Sequence, residues 1–388
     1  MRWIMAKPKR AIPNAVKLAL LRRALAEQPE SVACLTNLGD ALAATRDFAA
    51  AAESYGMALA LDPDGFSSWN MFARCELNLG RLATVLDLCD NAEAYGSSGE
   101  ICCIRGRALA KLGQPDAARA QFTRALALGD CGLVPLKKLL EPLAWEEGGG
   151  ALEEFCDALA RPWRDTALVR AHRAIALSRQ GRVAEARRII DLDRHIWRVE
   201  IALPTRFADI AEFNSVLARE IQAGPEPAHS GRDGFDLTSR PPHDGKPAHL
   251  ALFAIIRDAM TQYLAQAQDR ALADILPSAP TTALLHHNNL VLRNDAANGE
   301  HIHGRGLVSA VYHVAVPAAV THAEDHRGSL VLGPCMEMTR GHEGCWGKRF
   351  IKPIPGWLIL FPSHIFHDVI PTRTNDPRIS VVADMWPV

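Results

Sequence analysis

A chain of 388 residues is about twice the commonest domain size, so a single small module is excluded and two or more domains are expected. Apolar residues make up 48% and charged residues 22%, an ordinary globular composition that excludes a chain disordered throughout. The 43 basic and 44 acidic residues leave a net charge of -1, so no overall field draws polyphosphate or an anionic membrane, and neither nucleic acid nor a membrane is an implied partner.

The opening stretch MRWIMAKPKRAIP carries positive charge but lacks the unbroken apolar run and small-residue cleavage site of a secretory signal. No later stretch reaches the roughly 18 uncharged apolar residues needed to cross a bilayer, so the expectation is a soluble, cytoplasmic protein. Seven cysteines (Cys34, Cys75, Cys89, Cys102, Cys103, Cys131 and Cys156) fall in Ala/Leu-rich segments without the paired spacing of a zinc site, which points to reduced, buried thiols. Histidine is the informative residue: none precedes His172, and ten of the fifteen lie between His286 and His367. Chemistry is therefore expected in the last hundred or so residues.

In chain order, the first half shows an internal period. Leu35, Leu38, Gly39 and Leu42, followed by Ala51, Tyr55, Ala58 and Pro63, resemble the tetratricopeptide repeat, in which two helices cross closely where small residues remove side-chain bulk. Trp69, Ala73, Gly80 and Ala92 repeat the pattern one period of about 34 residues later. Gly106, Leu109, Gly113, Ala118, Phe122 and Ala125 form a third copy, and Ala174, Leu177, Gly181 and Ala186 another, with a degenerate copy at about 131–164 between them. Residues 14–29 read as an isolated second helix with its closing Pro29. An all-α tetratricopeptide solenoid is thus expected over 14–196, offering a concave surface to a peptide or protein.

After Trp197 the texture changes, and a second domain is expected over 197–388: a short strand-like run, then an amphipathic helix in IALPTRFADIAEFNSVLAREI. Residues 224–247, rich in Gly, Pro and charge, read as a loop facing substrate, and 249–268 as a helix. From His286 onward the runs LLHHNNLVL, LVSAVYHVAV, SLVLG, WLILFP and RISVVADM alternate with period two between Gly/Pro turns. Such strands predict a double-stranded β-helix, or jelly roll, with helices packed outside, making the whole chain α+β.

His301 and His303, two apart on an extended segment, present both imidazoles to one side, which is a metal-ligand spacing. His367 follows GWLILFPSHIF and can return beside them, with His364 as its rival; imidazoles alone do not choose among iron, zinc, copper and nickel. Arg378 and Ser380, again two apart, form a receptor for a carboxylate on the strand after the turn Thr374-Asn375-Asp376-Pro377.

With these residues in place, the second half resembles the Fe(II)- and 2-oxoglutarate-dependent oxygenases. It is similar in particular to a bacterial and phage group whose motif reads His-x-His-Pro-x-Ser-x-Leu-Ser-Gly-Val-Tyr-Tyr-Val. Here the stretch is HIHGRGLVSAVYHV, matching at both histidines, Ser309, Val311, Tyr312 and Val314; the second block is FPSHIFHDVIPTRTNDPRIS. The resemblance implies Fe(II) held by His301, His303 and His367 as the catalytic centre, and the distal carboxylate of 2-oxoglutarate held by Arg378 and Ser380. Asn288 and Asn289 lie on an earlier strand within reach of cofactor or substrate, and Asn289 and Tyr312 are counted with Arg378 and Ser380 as cofactor-binding residues.

The family's proline, serine and second tyrosine are Gly304, Gly306 and His313 here, so a looser loop is expected. His303 stands where most of the superfamily has a carboxylate, which leaves the site one unit more positive unless Glu300 or Asp368 supplies it. His286, His287, His313, His322, His326 and His342 carry no assigned role. The implied activity is a dioxygenase using O2 and 2-oxoglutarate, a hydroxylase of a peptide or protein side chain recruited by the repeats. The rivals are a cupin-like three-histidine metalloenzyme, which would want a glutamate where Leu307 and Val308 stand, and a repeat scaffold with an inactive oxygenase-like domain.

Overall fold

The computed structural model describes residues 1–5, 14–145, 150–161, 163–223, 228–229, 235–238, 246–267, 269, 271–273, 275–276, 279–333, 341 and 343–388. Two compact units emerge, one formed by Lys9–Pro142 and the other by Met1–Pro8 together with Leu143–Val388.

The Lys9–Pro142 unit is helical: α1 (Asn14–Glu27), α2 (Val32–Ala44), α3 (Phe48–Leu61), α4 (Phe66–Leu79), α5 (Leu82–Tyr95), α6 (Gly99–Lys111), α7 (Pro115–Leu128), and most of α8 (Val134–Trp145). Ser31, Asp47 and Ser98 start α2, α3 and α6, each side-chain oxygen accepting a backbone N–H three residues on. The repeat positions do what the period predicts. A methyl group at Gly39 would stand 2.7 Å from the ring of Tyr55, and one at Gly106 would stand 2.6 Å from the ring of Phe122. Each aromatic therefore lies across a helix that has no side chain at that point, which fixes how closely the pair packs. Tyr55 is fully buried and donates from Oη to Asp40 Oδ1 at 2.7 Å. Leu18, Leu21 and Leu25 of α1 close the end of this core against Leu38, Ala51 and Tyr55.

The second unit holds α9 (Gly150–Ala158), α10 (Ala167–Arg179) and α11 (Val183–Ile189), then α12 (Ile210–Gln222), α13 (Pro247–Ala265) and the short α14 (Ala318–Thr321). Its strands are β1 (Arg2–Met5), β2 (Trp197–Glu200), β3 (Ala228–His229), β4 (Phe235–Thr238), β5 (Thr282–Leu292), β6 (Val308–Ala315), β7 (Leu330–Leu332), β8 (Arg349–Ile351), β9 (Trp357–Pro362), β10 (His367–Val369) and β11 (Arg378–Pro387). The major sheet runs β2-β9-β6-β11-β5-β4-β3, with β1 added parallel to β5, and the minor sheet runs β10-β7-β8.

Period-two alternation divides the major sheet into two faces. Ile379, Val381, Ala383 and Met385 of β11, with Ala283, Leu285 and Val291 of β5, pack under α12 and α13. The opposite face brings Leu290, Leu292, Val311, Ile359 and Phe361 against Leu330, Leu332, Ile351 and Val369 of the minor sheet. Two sheets closing on a shared interior, with helices outside the larger one, form the expected double-stranded β-helix.

Three expectations differ from the structure. The compact units do not divide at 196: Ala174, Leu177 and Ala186 of the last repeat copy pack with Leu192, Trp346 and Leu332, so that hairpin shares its core with the sheets. Within the segment read as a loop, β4 pairs antiparallel with β5 and β3 with β4; the remainder of 224–245 lies outside the described residues. The opening residues, given no structure from sequence, supply β1. The eight described cysteines form no disulfide, and Cys75, Cys89, Cys102 and Cys156 are buried. Among the described residues no helix is long and apolar enough to cross a membrane.

Candidate metal and cofactor site

The inward face of β11 carries Arg378, Ser380, Val382 and Asp384, because its other residues are committed to the helical core. Antiparallel pairing sets Ser380 opposite Leu290 and His313, and Asp384 opposite His286 and Ser309. Beyond the end of β6, His301 and His367 pair as an isolated bridge, each backbone N–H donating to the other's carbonyl at 3.0 Å. His303 is anchored to Ser363 by its own backbone N–H at 3.1 Å. Gly306 follows in the same turn, where a methyl group would stand 2.4 Å from Ser363 Oγ. The expectation of a looser loop is thus corrected: glycine here permits a close approach that pins His303.

The three imidazoles converge, with one ligand atom from each lying within 4.8 Å of the others. His301 Nδ1 donates to Gly299 O at 2.7 Å and His367 Nδ1 to Ile365 O at 3.1 Å. Carbonyl oxygens only accept, so the protons sit on Nδ1 and both Nε2 atoms carry lone pairs, that of His301 also facing Asn298 Nδ2 at 3.3 Å. His303 Nδ1 is tied to Asp384 Oδ1, which likewise turns its Nε2 inward. Burial pushes the His301 imidazolium down to about 4, aided by the neighbouring His303, and pushes His367 well below the ordinary value for the same reasons. For His303, burial opposes the charged form, but the charge and hydrogen bond of Asp384 outweigh it and the net shift is upward.

The donor set fits a metal ion. His301 Nε2 and His303 Nε2 stand 3.1 Å apart. Two imidazole nitrogens each about 2.1 Å from one ion and at right angles about it would stand about 3.0 Å apart. With the protons at Nδ1, two lone pairs at this separation repel unless a metal ion or a shared proton lies between them. Neither Glu300 nor Asp368 joins the grouping, and His364 is engaged elsewhere, its Nε2 donating to Ile189 O at 2.8 Å.

The same cavity, about 220 Å³, reaches from His301, His303 and His367 to Arg378, and Leu290, Val311, Phe361 and Val382 line its apolar wall. Arg378 is fully buried, yet among the described residues Nε, Nη1 and Nη2 have no hydrogen-bond partner. Ser380 Oγ and both ring nitrogens of His313 are buried and unpartnered as well. Burial pushes the Arg378 guanidinium down to about 10; burial, then the charges of Arg378 and Arg198, holds His313 well below the ordinary imidazole value. A buried guanidinium without a counter-charge at the wall of a cavity is a receptor for an anion, and a carboxylate matches its fork.

Four of the seven residues expected in the site line one cavity: His301, His303, His367 and Arg378. Ser380 is buried on the same strand face as Arg378 but does not line that cavity. Two others face away. Tyr312 belongs to the helical face of β6, where it donates to Asn214 Oδ1 at 2.7 Å and meets Phe213 edge-on. Asn289 faces α13, with Oδ1 at 3.4 Å from His249 Nε2, and it is Asn288 that lines the cavity. The cofactor roles given to Tyr312 and Asn289 are therefore withdrawn, since strand alternation turns both away. Sequence reasoning missed Asp384, Ser309 and His313, although the period-two rule that found Arg378 and Ser380 continues to Asp384 and pairs it with Ser309. Of the unassigned histidines, His286 stacks on Trp386 with ring centroids 4.3 Å apart, and His342 lies outside the described residues.

Residues 289–384 match the family described as "Putative 2OG-Fe(II) oxygenase", and residues 99–128 match a tetratricopeptide repeat model. The oxygenase match covers about a quarter of the chain and lies wholly in its C-terminal part. Fe(II) and 2-oxoglutarate are the cofactors that such a domain implies, and the three-histidine cluster is present to meet them. Among solved structures, a Pseudomonas putida prolyl-4-hydroxylase aligns at 20% identity over 51% of this chain and 96% of its own, with a TM-score of 0.35. YrrB, described as a TPR protein with an unusual peptide-binding site, aligns at 19% identity over 44% of this chain and 92% of its own, with a TM-score of 0.33. TTC0263, a TPR protein of Thermus thermophilus, aligns at 22% identity over 45% and 87%, with a TM-score of 0.31. No curated protein matches at a significant level.

Proposed function

We propose that the oxygenase domain hydroxylates a peptide or protein side chain, with His301, His303 and His367 holding Fe(II) and with Arg378 and Ser380 holding the distal carboxylate of 2-oxoglutarate. One observation carries the residue roles: a single cavity has three inward-facing imidazoles at one end and a buried, unpartnered arginine at the other. Bound iron with 2-oxoglutarate and O2 supplies the oxidising power, coupling decarboxylation to succinate with insertion of oxygen into a substrate C–H bond.

The protein's own residues bind, orient and exclude water. Arg378 can offer two parallel N–H donors to one carboxylate and so fix both its position and its direction. Ser380, two residues on and facing the same way, adds a hydroxyl. Phe361, Val311 and Val382 keep water from the space between the two ends. The repeat match supports a macromolecular partner, because stacked helix pairs present an extended surface suited to a peptide. A cupin-like reading gives no use to the orphaned Arg378.

The test is anaerobic addition of Fe(II) to purified protein, then 2-oxoglutarate, watching the visible charge-transfer absorption of the bound oxoacid. A band in the wild type that is absent from Arg378→Ala supports the residue roles; a band unchanged in Arg378→Ala overturns the carboxylate assignment. Succinate release stimulated by peptides that bind residues 14–142, and by no other peptides, is the result expected for the substrate class.

A further inference from the structure

Asp384 is a buried carboxylate, 4% exposed, with no lysine or arginine in ion-pair distance among the described residues. Leaving such a charge in the interior costs several kcal/mol unless it is paired. What surrounds it is specific. Oδ1 accepts from His303 Nδ1 and from Ser309 Oγ, the latter at 2.6 Å. Ser309 is held in turn by Ser363 Oγ at 2.8 Å, and Ser363 also anchors the backbone of His303. On the other side, Oδ2 stands 4.0 Å from Nδ1 of His286.

Every strong interaction of this carboxylate therefore leads to the one histidine that replaces the carboxylate of the usual two-histidine, one-carboxylate set. The other two imidazoles differ: their Nδ1 atoms rest on the neutral carbonyls of Gly299 and Ile365. Across all three ring partners, a full negative charge is supplied at a single position.

We propose that Asp384 is the metal site's carboxylate acting at one remove: through His303 Nδ1 it fixes the ring with Nε2 inward and restores to the three-histidine set the negative charge that direct carboxylate ligation would give. This rests on the reading of His301, His303 and His367 as ligands. Asp384 is a positioning residue, since it touches neither ion nor substrate. Ser309 and Ser363 hold the carboxylate so that it cannot swing away, and the close approach at Gly306 keeps Ser363 in place. Partners behind a metal-bound histidine are typically worth about 10- to 100-fold in metal affinity.

The experiment measures anaerobic Co(II) affinity for the full chain and for Asp384→Asn and His367→Ala. Asparagine keeps an oxygen to accept from His303 Nδ1 and removes only the charge. The expected result is binding by the wild type, loss of binding in His367→Ala, and a weakening of about 10-fold or more in Asp384→Asn. Paramagnetic proton NMR of the Co(II) form adds a signature that general destabilisation would not give: the exchangeable Nδ1 proton of His303 shifts in Asp384→Asn while those of His301 and His367 stay in place. Wild-type affinity and an unmoved resonance in Asp384→Asn, with His367→Ala unable to bind, overturn the proposal and leave the ligand reading standing. Binding by His367→Ala equal to the wild type overturns both. Should Asp384→Asn not fold, Ser309→Ala decides in its place, since loss of the hydroxyl that holds Oδ1 must shift the His303 resonance alone or the proposal falls.

Discussion

Replacing Arg378 with methionine should stabilise the protein in the absence of cofactor and abolish its response to 2-oxoglutarate. The side chain is fully buried, all three guanidinium nitrogens lack partners among the described residues, and burial alone moves it down to about 10. That shift corresponds to about 3 kcal/mol by which the folded interior disfavours the charged form at neutral pH, within the range measured for buried charges that have lost their partner. Methionine fills a similar volume without the charge and should recover most of it. For the roughly 250-residue unit this amounts to a rise of about 6–12 °C in its melting transition. In the wild type, 2-oxoglutarate at about 100 times its Kd should add about 2.7 kcal/mol through linkage, whereas Arg378→Met should gain nothing. The assay is thermal unfolding followed by tryptophan fluorescence, with and without metal and 2-oxoglutarate. A variant that melts below the wild type and still responds to 2-oxoglutarate would refute the reasoning, because it would mean that Arg378 is internally compensated and serves packing alone.

Three further outcomes follow from the same packing. Tyr312→Phe should cost about 1–2 kcal/mol in denaturant unfolding by orphaning Asn214 Oδ1, and should leave 2-oxoglutarate affinity unchanged, since its hydroxyl faces the helices; a tenfold loss of affinity would reinstate its cofactor role. Gly306→Ala forces a methyl group against Ser363 and should destabilise by about 1–3 kcal/mol while weakening metal binding through His303, as calorimetric titration would show. His195 and His364, which burial pushes down to about 4 and about 3, are neutral in the fold and protonate on unfolding. Their folded values lie below the unfolded one, so the stability they hold is complete above about pH 6.5 and declines as pH falls towards the folded values, by about 2 kcal/mol each at pH 5. Urea unfolding at pH 7 and pH 5 checks this, and a His364→Leu variant with an unaltered pH slope would contradict it.

The repeat period and the double-stranded β-helix were legible because both rest on spacing that a linear sequence carries: a glycine under an aromatic at Gly39 and Gly106, and alternate apolar residues along β5, β6 and β11. The metal and carboxylate residues were legible for the same reason, as pairs two apart. What was not legible depended on absolute phase. Period two says that Asn288 and Asn289 point to opposite faces, but which of them faces the cavity is set by pairing with β11, where Ser380 lies opposite Leu290. Tyr312 was carried into the site by its place in a motif, yet its neighbours Val311 and His313 take the inward positions. Asp384 escaped notice because it is 81 residues from the histidine it supports, and only the register of β6 against β11 joins the two.

The two ends of the cavity are unbalanced in opposite senses, and that imbalance is itself informative. Near the histidines a buried carboxylate is held by one imidazole and a serine; about Arg378 a buried cation has no anion among the described residues. A sequence selected for stability alone would give Arg378 a partner and would not bury a carboxylate among three imidazoles, since the first departs from the rule that buried polar groups are paired and the second puts a charge in the interior. A dication at the first end and a dicarboxylate reaching the second would settle both departures in one binding event. The domain should accordingly be less stable empty than filled, and its unfolding in the absence of metal and 2-oxoglutarate should begin at the strands that carry these groups, with amide exchange along β6 and β11 slowing when both are added. Exchange that slows with the metal alone, to the same extent at Arg378 as at His303, would show that the two ends are not energetically distinct.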